Sequence, residues 1–129
     1  MPPTSSLNIF LVENHDDTLL YLGRYLEQNG HKVRSAKEMG TALAAIQEHP
    51  VDVLICDIGL PDGDGWQLME NVAASRNPVP FSIAMSGYGA RSDREKSVAS
   101  GFRHHLVKPF LPEDLDALLE EAAAERQVS

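Results

Sequence analysis

The stretch that decides the fold is residues 51–65, which read Val51-Asp-Val-Leu-Ile-Cys-Asp57-Ile-Gly-Leu-Pro-Asp-Gly-Asp-Gly65. It begins as a short apolar run rich in β-branched residues, which is typical of a strand buried on both faces. The run ends in the carboxylate of Asp57, and the glycines and proline that follow predict a loop. An acid at the carboxyl end of a buried strand is a common way for an α/β sheet to present a reactive group. We therefore take Asp57 as the candidate chemical centre.

Composition narrows the class of protein. The 129 residues predict one domain, residues 1–129, with a flexible tail at 1–6 and a frayed end at 127–129. The formal net charge of −8 argues against a nucleic-acid-binding surface, and no apolar run is long enough to cross a membrane. Cys56 is the only cysteine, which excludes an intramolecular disulfide and favours a buried core residue in a reducing, cytoplasmic compartment.

Strand and helix patterns alternate five times along the chain. Apolar spacing predicts strands at 7–12, 32–36, 51–57, 81–85 and 104–107, and helices at 18–28, 38–48, 66–74, 92–100 and 112–126. Asp16 or Asp17 is expected to cap the first helix. Short connections between alternating elements predict a doubly wound parallel α/β sheet, with helices on both faces.

Polar side chains follow four of the five predicted strands. Glu13 and Asn14 end the first strand, Asp57 the third, Ser86 the fourth and Lys108 the fifth. Each of them alone has an ordinary explanation as a turn, loop or capping residue. Together they should meet at the carboxyl edge of the sheet, where such folds bind ligands. Carboxylates, a hydroxyl and an ammonium group in one place suit a hard cation and a phosphoryl group.

These residues carry a family resemblance. The segments Leu-Val-Glu-Asn at 11–14, Asp-Ile-Gly-Leu-Pro-Asp-Gly-Asp-Gly at 57–65, Met-Ser-Gly at 85–87 and Lys-Pro-Phe at 108–110 resemble those of CheY-like receiver domains of two-component response regulators. The resemblance covers nearly the whole chain. It implies a flavodoxin-like (βα)5 fold with strand order 2-1-3-4-5.

The resemblance also implies a role for each site residue. Asp57 would accept a phosphoryl group from a phosphohistidine on a sensor histidine kinase or a histidine phosphotransfer protein. A Mg²⁺ or Mn²⁺ ion would be held by Glu13, Asn14, Asp57 and the backbone carbonyl of Gly59. Ser86 and Lys108 would bind phosphoryl oxygens, and the peptide bond before Pro109 would be cis. The chain would then be a switch, with no enzyme activity beyond its own phosphorylation and dephosphorylation.

Two positions depart from the family pattern. Asn14 stands where a second acid is usual, which predicts weaker Mg²⁺ binding. His105 stands where many receivers carry a switch Tyr or Phe, so it is either a surface imidazole or part of the switch. A histidine-based metal site is not expected, because the five histidines show no ligand spacing.

Other readings of the sequence remain to be weighed. A phosphatase of the haloacid-dehalogenase type needs a second Asp two residues after the nucleophile, where this chain has Gly59. A flavodoxin-like cofactor binder needs a phosphate loop after the first strand, where this chain is acidic. A third alternative is a degenerate receiver that binds proteins without phosphate. It is kept because Asn14 replaces an acid of the family pattern.

The resemblance says less about the partner that receives the signal. The fourth helix, fifth strand and fifth helix would form the face for a downstream protein, and a homodimer is left open. The chain is expected to be either a stand-alone regulator or part of a longer protein, such as a hybrid histidine kinase.

Overall fold

Five parallel strands form the main sheet of the computed structural model, which describes residues 6–87 and 91–128. The spatial order is β2-β1-β3-β4-β5, as the family resemblance implies. The strands are β1 (Asn8–Val12), β2 (Lys32–Ala36), β3 (Val53–Asp57), β4 (Phe81–Ser86) and β5 (His104–Val107).

The register of the strands brings their carboxyl ends to one edge. Cys56 of β3 lies beside Val12 of β1, so the residues that follow each of them leave the sheet at the same level. On the other side of β3, Asp57 pairs with Met85, which places Ser86 one residue beyond. The polar side chains that end β1, β3 and β4 therefore share one edge of the sheet.

Helices cover both faces of the sheet. They are α1 (Asp16–Gln28), α2 (Met39–Glu48), α3 (Gly65–Ala73), α4 (Arg91–Ser100) and α5 (Pro112–Val128). Side chains alternate along each strand, so β1 sends Ile9 and Leu11 into a core with α1 and α5, and Phe10 into a second core with α2 and α3. Two-sided burial explains why β1 and β3 read as continuous apolar runs.

The loop after β3 is more ordered than the sequence suggests. Two short antiparallel segments, Gly59–Leu60 and Gly63–Asp64, form a small ladder that the sequence analysis did not predict. Asp64 then caps α3 by accepting a hydrogen bond from the backbone N–H of Gln67, 2.8 Å away. This ladder ties the Gly/Pro loop down beside Asp57.

Some expected boundaries need correction. The residue that precedes α1 is His15, and its side chain makes no capping hydrogen bond. Asp16 and Asp17 lie in the first turn instead, where their charges favour the positive end of the helix dipole. Helix α5 continues to Val128, two residues beyond its predicted end. The expected tail at 1–6 and the frayed end at 127–129 fall partly on residues 1–5 and 129, which lie outside the described residues, as do residues 88–90.

A helix that crosses a membrane must be both long and apolar. Within residues 6–87 and 91–128, no helix combines the length and the hydropathy that a membrane-crossing segment needs.

Candidate functional site

Asp57 lies at the carboxyl end of β3, and both of its carboxylate oxygens are held. Lys108 Nζ donates to Oδ2 at 2.8 Å, and the backbone N–H of Gly59 donates to Oδ1 at 2.9 Å. The side chain is 8% exposed, so it is nearly buried at the floor of the site. Its orientation is therefore fixed by two charge-assisted hydrogen bonds.

A second carboxylate shares the same lysine. Glu13, directly after β1, has a fully buried side chain, and Lys108 donates to its Oε1. Its Oε2 accepts from the backbone N–H of His15 at 3.1 Å and lies 2.9 Å from Nδ1 of the same residue. Lys108 thus bridges two carboxylates that come from neighbouring strands. The site holds two acids for one lysine.

Because one lysine serves both acids, the pKa values of Asp57 and Glu13 move in opposite directions. Burial raises the pKa of Asp57, and the neighbouring Glu13 charge raises it further, against the hydrogen bonds from Lys108 and Gly59. Burial alone would also raise the pKa of Glu13, but the hydrogen bonds from Lys108 and His15 outweigh it and lower that pKa. Burial opposes the charge of Lys108 as well, yet the two carboxylates raise its pKa. Glu13 and Lys108 are therefore firmly charged, and Asp57 is the acid whose charge is least compensated.

The donor atoms around Asp57 fit a divalent cation. One ligand atom each from Glu13, His15 and Asp57 lie within 4.8 Å of one another. Asn14 Oδ1 is buried without a hydrogen-bond partner in the part of the chain that the structure describes. A buried carbonyl oxygen that lacks a donor is costly unless something else satisfies it, and oxygen atoms are the ligands that Mg²⁺ prefers. The residues present therefore fit the metal that the family resemblance implies.

A cavity of about 700 Å³ opens above these residues. Asp57, Gly59, Ser86 and Lys108 line it, and so does His15 at its mouth. The cavity is large enough to admit a phosphoryl group with bound water. Asp57, Ser86 and Lys108 were predicted at one edge of the sheet, and the structure brings them together there.

Ser86 connects the cavity to α4. It is 1% exposed, and its Oγ lies 2.8 Å from Nε2 of His105 on β5. The other ring nitrogen of His105, Nδ1, lies 2.8 Å from Oγ of Ser97, a fully buried serine on α4. Ser97 Oγ also accepts from Trp66 Nε1 at 2.9 Å. We call these four side chains, Ser86, His105, Ser97 and Trp66, the hydroxyl–imidazole chain.

The contacts of His105 remove one of its two readings, and its role in the switch stays a prediction. The residue is half-buried and bonded through both ring nitrogens, so it is not a surface imidazole. Sequence reasoning missed Ser97, because a lone serine in a polar helix carries no signal of its own. It treated His15 only as a loop residue near the site, although its position two residues after Glu13 was a usable clue. The Lys108–Pro109 peptide bond is cis in the structure.

One protein-family model and several known proteins match this chain in sequence. A family model for the response regulator receiver domain matches residues 9–120. The transcriptional regulatory protein CssR of Bacillus subtilis is 34% identical over 110 residues, which are 85% of this chain and 48% of CssR. The chain therefore spans about half the length of that regulator.

Solved structures agree with the observed fold. A CheY-like response regulator receiver domain protein from Methanospirillum hungatei is 28% identical, with a TM-score of 0.84 over 95% of this chain and 98% of that one. The receiver domain of a Pseudomonas aeruginosa sensor histidine kinase, which has a magnesium ion in its active-site cleft, is 24% identical. Its TM-score is 0.84 over 93% of this chain and 99% of that one, which shows a shared fold. From the family match and these likenesses, the chain belongs to the response regulator receiver domain family of two-component systems.

Proposed function

We propose that this receiver domain is a phosphorylation-controlled switch whose acceptor is Asp57. The donor would be a phosphohistidine on a sensor histidine kinase or a histidine phosphotransfer protein. The observation that carries the proposal is the position of Lys108, which holds Asp57 and Glu13 together at the floor of an open cavity. An acid fixed in this way is positioned for phosphoryl transfer, a reaction in which catalysis is mostly positioning and charge neutralisation.

The transfer step uses Asp57 as a nucleophile. One carboxylate oxygen forms a bond to phosphorus while the phosphorus–nitrogen bond of the donor breaks. The donor imidazole carries a proton on its other nitrogen and so leaves as a neutral group. Lys108 is positioned to follow the developing charge, because its ammonium group already contacts Oδ2. The raised pKa of Asp57 reflects its burial, and a cation in the site would favour the ionised form that attacks.

A divalent cation, Mg²⁺ or Mn²⁺, completes the proposed site. Glu13, Asn14, Asp57 and the backbone carbonyl of Gly59 would hold it. When bound, such an ion supplies charge neutralisation for the phosphoryl oxygens. The buried, unpartnered Oδ1 of Asn14 supports this assignment. Because Asn14 is neutral, we expect Mg²⁺ to bind less tightly than at a site with one more carboxylate.

The hydroxyl–imidazole chain would report the phosphorylated state. The phosphoryl group carries about −1.5 to −2 charge units and three acceptor oxygens into the cavity that Ser86 lines, in place of the single charge of the Asp57 carboxylate. Ser86 can turn its hydroxyl to donate to one of them, which changes its hydrogen bond to His105. His105 in turn contacts Ser97 on α4. We place the contact with a downstream protein on the face formed by α4, β5 and α5.

The remaining parts of the proposal follow from this chemistry. The chain would act as a switch in the cytoplasm, and its only reaction would be its own phosphorylation and dephosphorylation. It would regulate a partner protein, as part of a longer regulator or a hybrid kinase or as a separate chain. A second candidate, a receiver that binds proteins independently of phosphate, is favoured by the neutral side chain of Asn14.

The mass of the intact protein tests the proposal directly. We expect one phosphoryl group after incubation with a small phosphodonor and Mg²⁺, and none for the Asp57→Asn variant. Asp17→Asn is the matched control, because Asp17 is an exposed acid in the first turn of α1 and should leave phosphorylation unchanged. Equal phosphorylation of the Asp57→Asn variant would refute the assignment. No phosphorylation of any variant by either a phosphodonor or a phosphohistidine protein would favour the second candidate.

A further inference from the structure

His15 lies at the mouth of the site with its imidazole turned to the buried acid. Its Nδ1 is 2.9 Å from Glu13 Oε2, although its side chain is 68% exposed and that of Glu13 is fully buried. One ligand atom each from Glu13, His15 and Asp57 lie within 4.8 Å of one another. An exposed imidazole has many orientations open to it, and the hydrogen bond to Glu13 selects one in which Nδ1 faces the buried acid.

The spacing of the two atoms is compatible with joint coordination. Two neighbouring ligands of one ion are about 3 Å apart when each bond is about 2.1 Å long and the angle between them is about 90°. Nδ1 of His15 and Oε2 of Glu13 are already separated by 2.9 Å. A neutral imidazole can bind through Nδ1 when its proton is on Nε2.

The composition of the site changes which ion it should prefer. Asn14 supplies a neutral oxygen, and Lys108 offsets one of the two carboxylate charges. A hard ion such as Mg²⁺ depends on charged oxygen ligands, so both features weaken its binding. An imidazole nitrogen favours later transition ions, for which Ni²⁺ and Zn²⁺ are typical.

We infer that His15 is a metal ligand in this receiver and that it shifts the preference of the site from Mg²⁺ toward transition ions such as Ni²⁺. We call Glu13, His15 and Asp57 the mixed-donor site. The inference rests on the proposed function only for the location of the cation. A bound transition ion would contact one nitrogen and two carboxylate oxygens of this chain.

Metal titration of the unphosphorylated protein, prepared without a histidine tag, tests the inference. Calorimetry with Mg²⁺ and with Ni²⁺ gives the two affinities, and the fluorescence of Trp66, the only tryptophan, gives a second readout because Trp66 lines the same cavity. We expect His15→Gln to weaken Ni²⁺ binding by about tenfold or more and Mg²⁺ binding by less than about twofold. His49→Gln is the matched control, since His49 follows α2 away from the site, and it should change neither affinity.

Two results would overturn the inference. An unchanged Ni²⁺ affinity in the His15→Gln variant would exclude His15 as a ligand. Equal losses for Mg²⁺ and Ni²⁺ would show that His15 only positions Glu13. A spectroscopic measurement separates these cases: in the Co²⁺-loaded protein we expect strongly shifted imidazole resonances that persist in His49→Gln and are absent in His15→Gln.

The proposed function and this inference can fail separately. A protein that binds Ni²⁺ through His15 but gains no phosphoryl group on Asp57 would refute the switch and leave the mixed-donor site standing. A protein that is phosphorylated with Mg²⁺ but whose His15 resonances show no metal-dependent shift would refute the mixed-donor site and leave the switch standing.

Discussion

Removing the charge of Lys108 should destabilise this fold at neutral pH. Its ammonium group contacts both Asp57 and Glu13, whose side chains are 8% and 0% exposed. The substitution Lys108→Met keeps most of the length of the side chain and removes its charge. Two nearly buried carboxylates are then left without their shared cation, which is strongly destabilising.

The expected loss of stability follows from the least costly way in which the variant can remove one of the two buried charges. The variant avoids an unpaired buried charge if one of the two acids takes up a proton. For Glu13, whose ordinary pKa is 4.5, protonation at about pH 7 costs about 3.4 kcal/mol. This value is an upper limit for one acid and agrees with the about 3–5 kcal/mol lost when a buried pair is broken. We therefore expect a loss of about 3 kcal/mol in the free energy of unfolding. For 129 residues this corresponds to a decrease of about 11 °C in the melting temperature.

The loss should depend on pH with a defined sign. In the variant a carboxyl group has a raised pKa in the folded state, so it favours folding when protonated and loses that contribution as pH rises. In the wild type the lowered pKa of Glu13 stabilises the fold above its ordinary value and ceases to do so as pH falls through the folded-state pKa. Between about pH 7 and about pH 5 only the first effect operates, and it reduces the difference between the two proteins by about 1.4 kcal/mol per unit. The loss of the Glu13 contribution adds to it only below the ordinary pKa of 4.5. Near pH 5 the difference should almost vanish.

Urea unfolding in metal-free buffer at about pH 7 and about pH 5 measures this difference. Lys32→Met is the matched control, because Lys32 is an exposed lysine on β2, and it should change stability by less than about 0.5 kcal/mol. The substitution Asp57→Asn in the Lys108→Met background should recover part of the loss, since one unpaired charge is removed. The reasoning is refuted if Lys108→Met costs no more than the control at neutral pH, or if its cost is the same at both pH values.

Three further substitutions probe other parts of the molecule. Asn14→Asp restores a charged ligand and should tighten Mg²⁺ binding by about tenfold in a calorimetric titration, whereas unchanged or weaker binding would count against the placement of Asn14 at the metal. Ser97→Ala removes the hydroxyl shared by Trp66 and His105 and should lower the free energy of unfolding by about 1–2 kcal/mol. A loss no larger than that of Ser92→Ala, at an exposed serine of the same helix, would contradict the hydroxyl–imidazole chain. Gly65→Ala would place a Cβ 2.6 Å from the backbone oxygen of Asp57 and should cost about 2 kcal/mol or more in urea unfolding. Its control, Gly23→Ala in α1, meets nothing within 4 Å and should be neutral or stabilising, so equal effects would refute the steric reasoning.

The sequence determined most of the architecture by itself. Apolar runs and turn residues identified the five strands and five helices, because burial on two faces and helical amphipathicity leave direct patterns in the order of residues. The same patterns placed Glu13, Asp57, Ser86 and Lys108 at strand ends, so their meeting at one edge followed from parallel topology alone.

Only the tertiary structure decided how those residues are connected. The pKa values of Asp57 and Glu13 move in opposite directions because one lysine serves both. That sharing depends on contacts between residues that are 51 and 95 positions apart in the chain. The contact of Ser97 was equally invisible, since Ser97 is an ordinary polar residue until folding brings it within hydrogen-bond distance of His105. The position of His15 two residues after Glu13 was only a partial clue to their contact. Pattern reports which face of an element is buried, whereas the contacts of a single polar atom depend on side-chain geometry that no local pattern encodes.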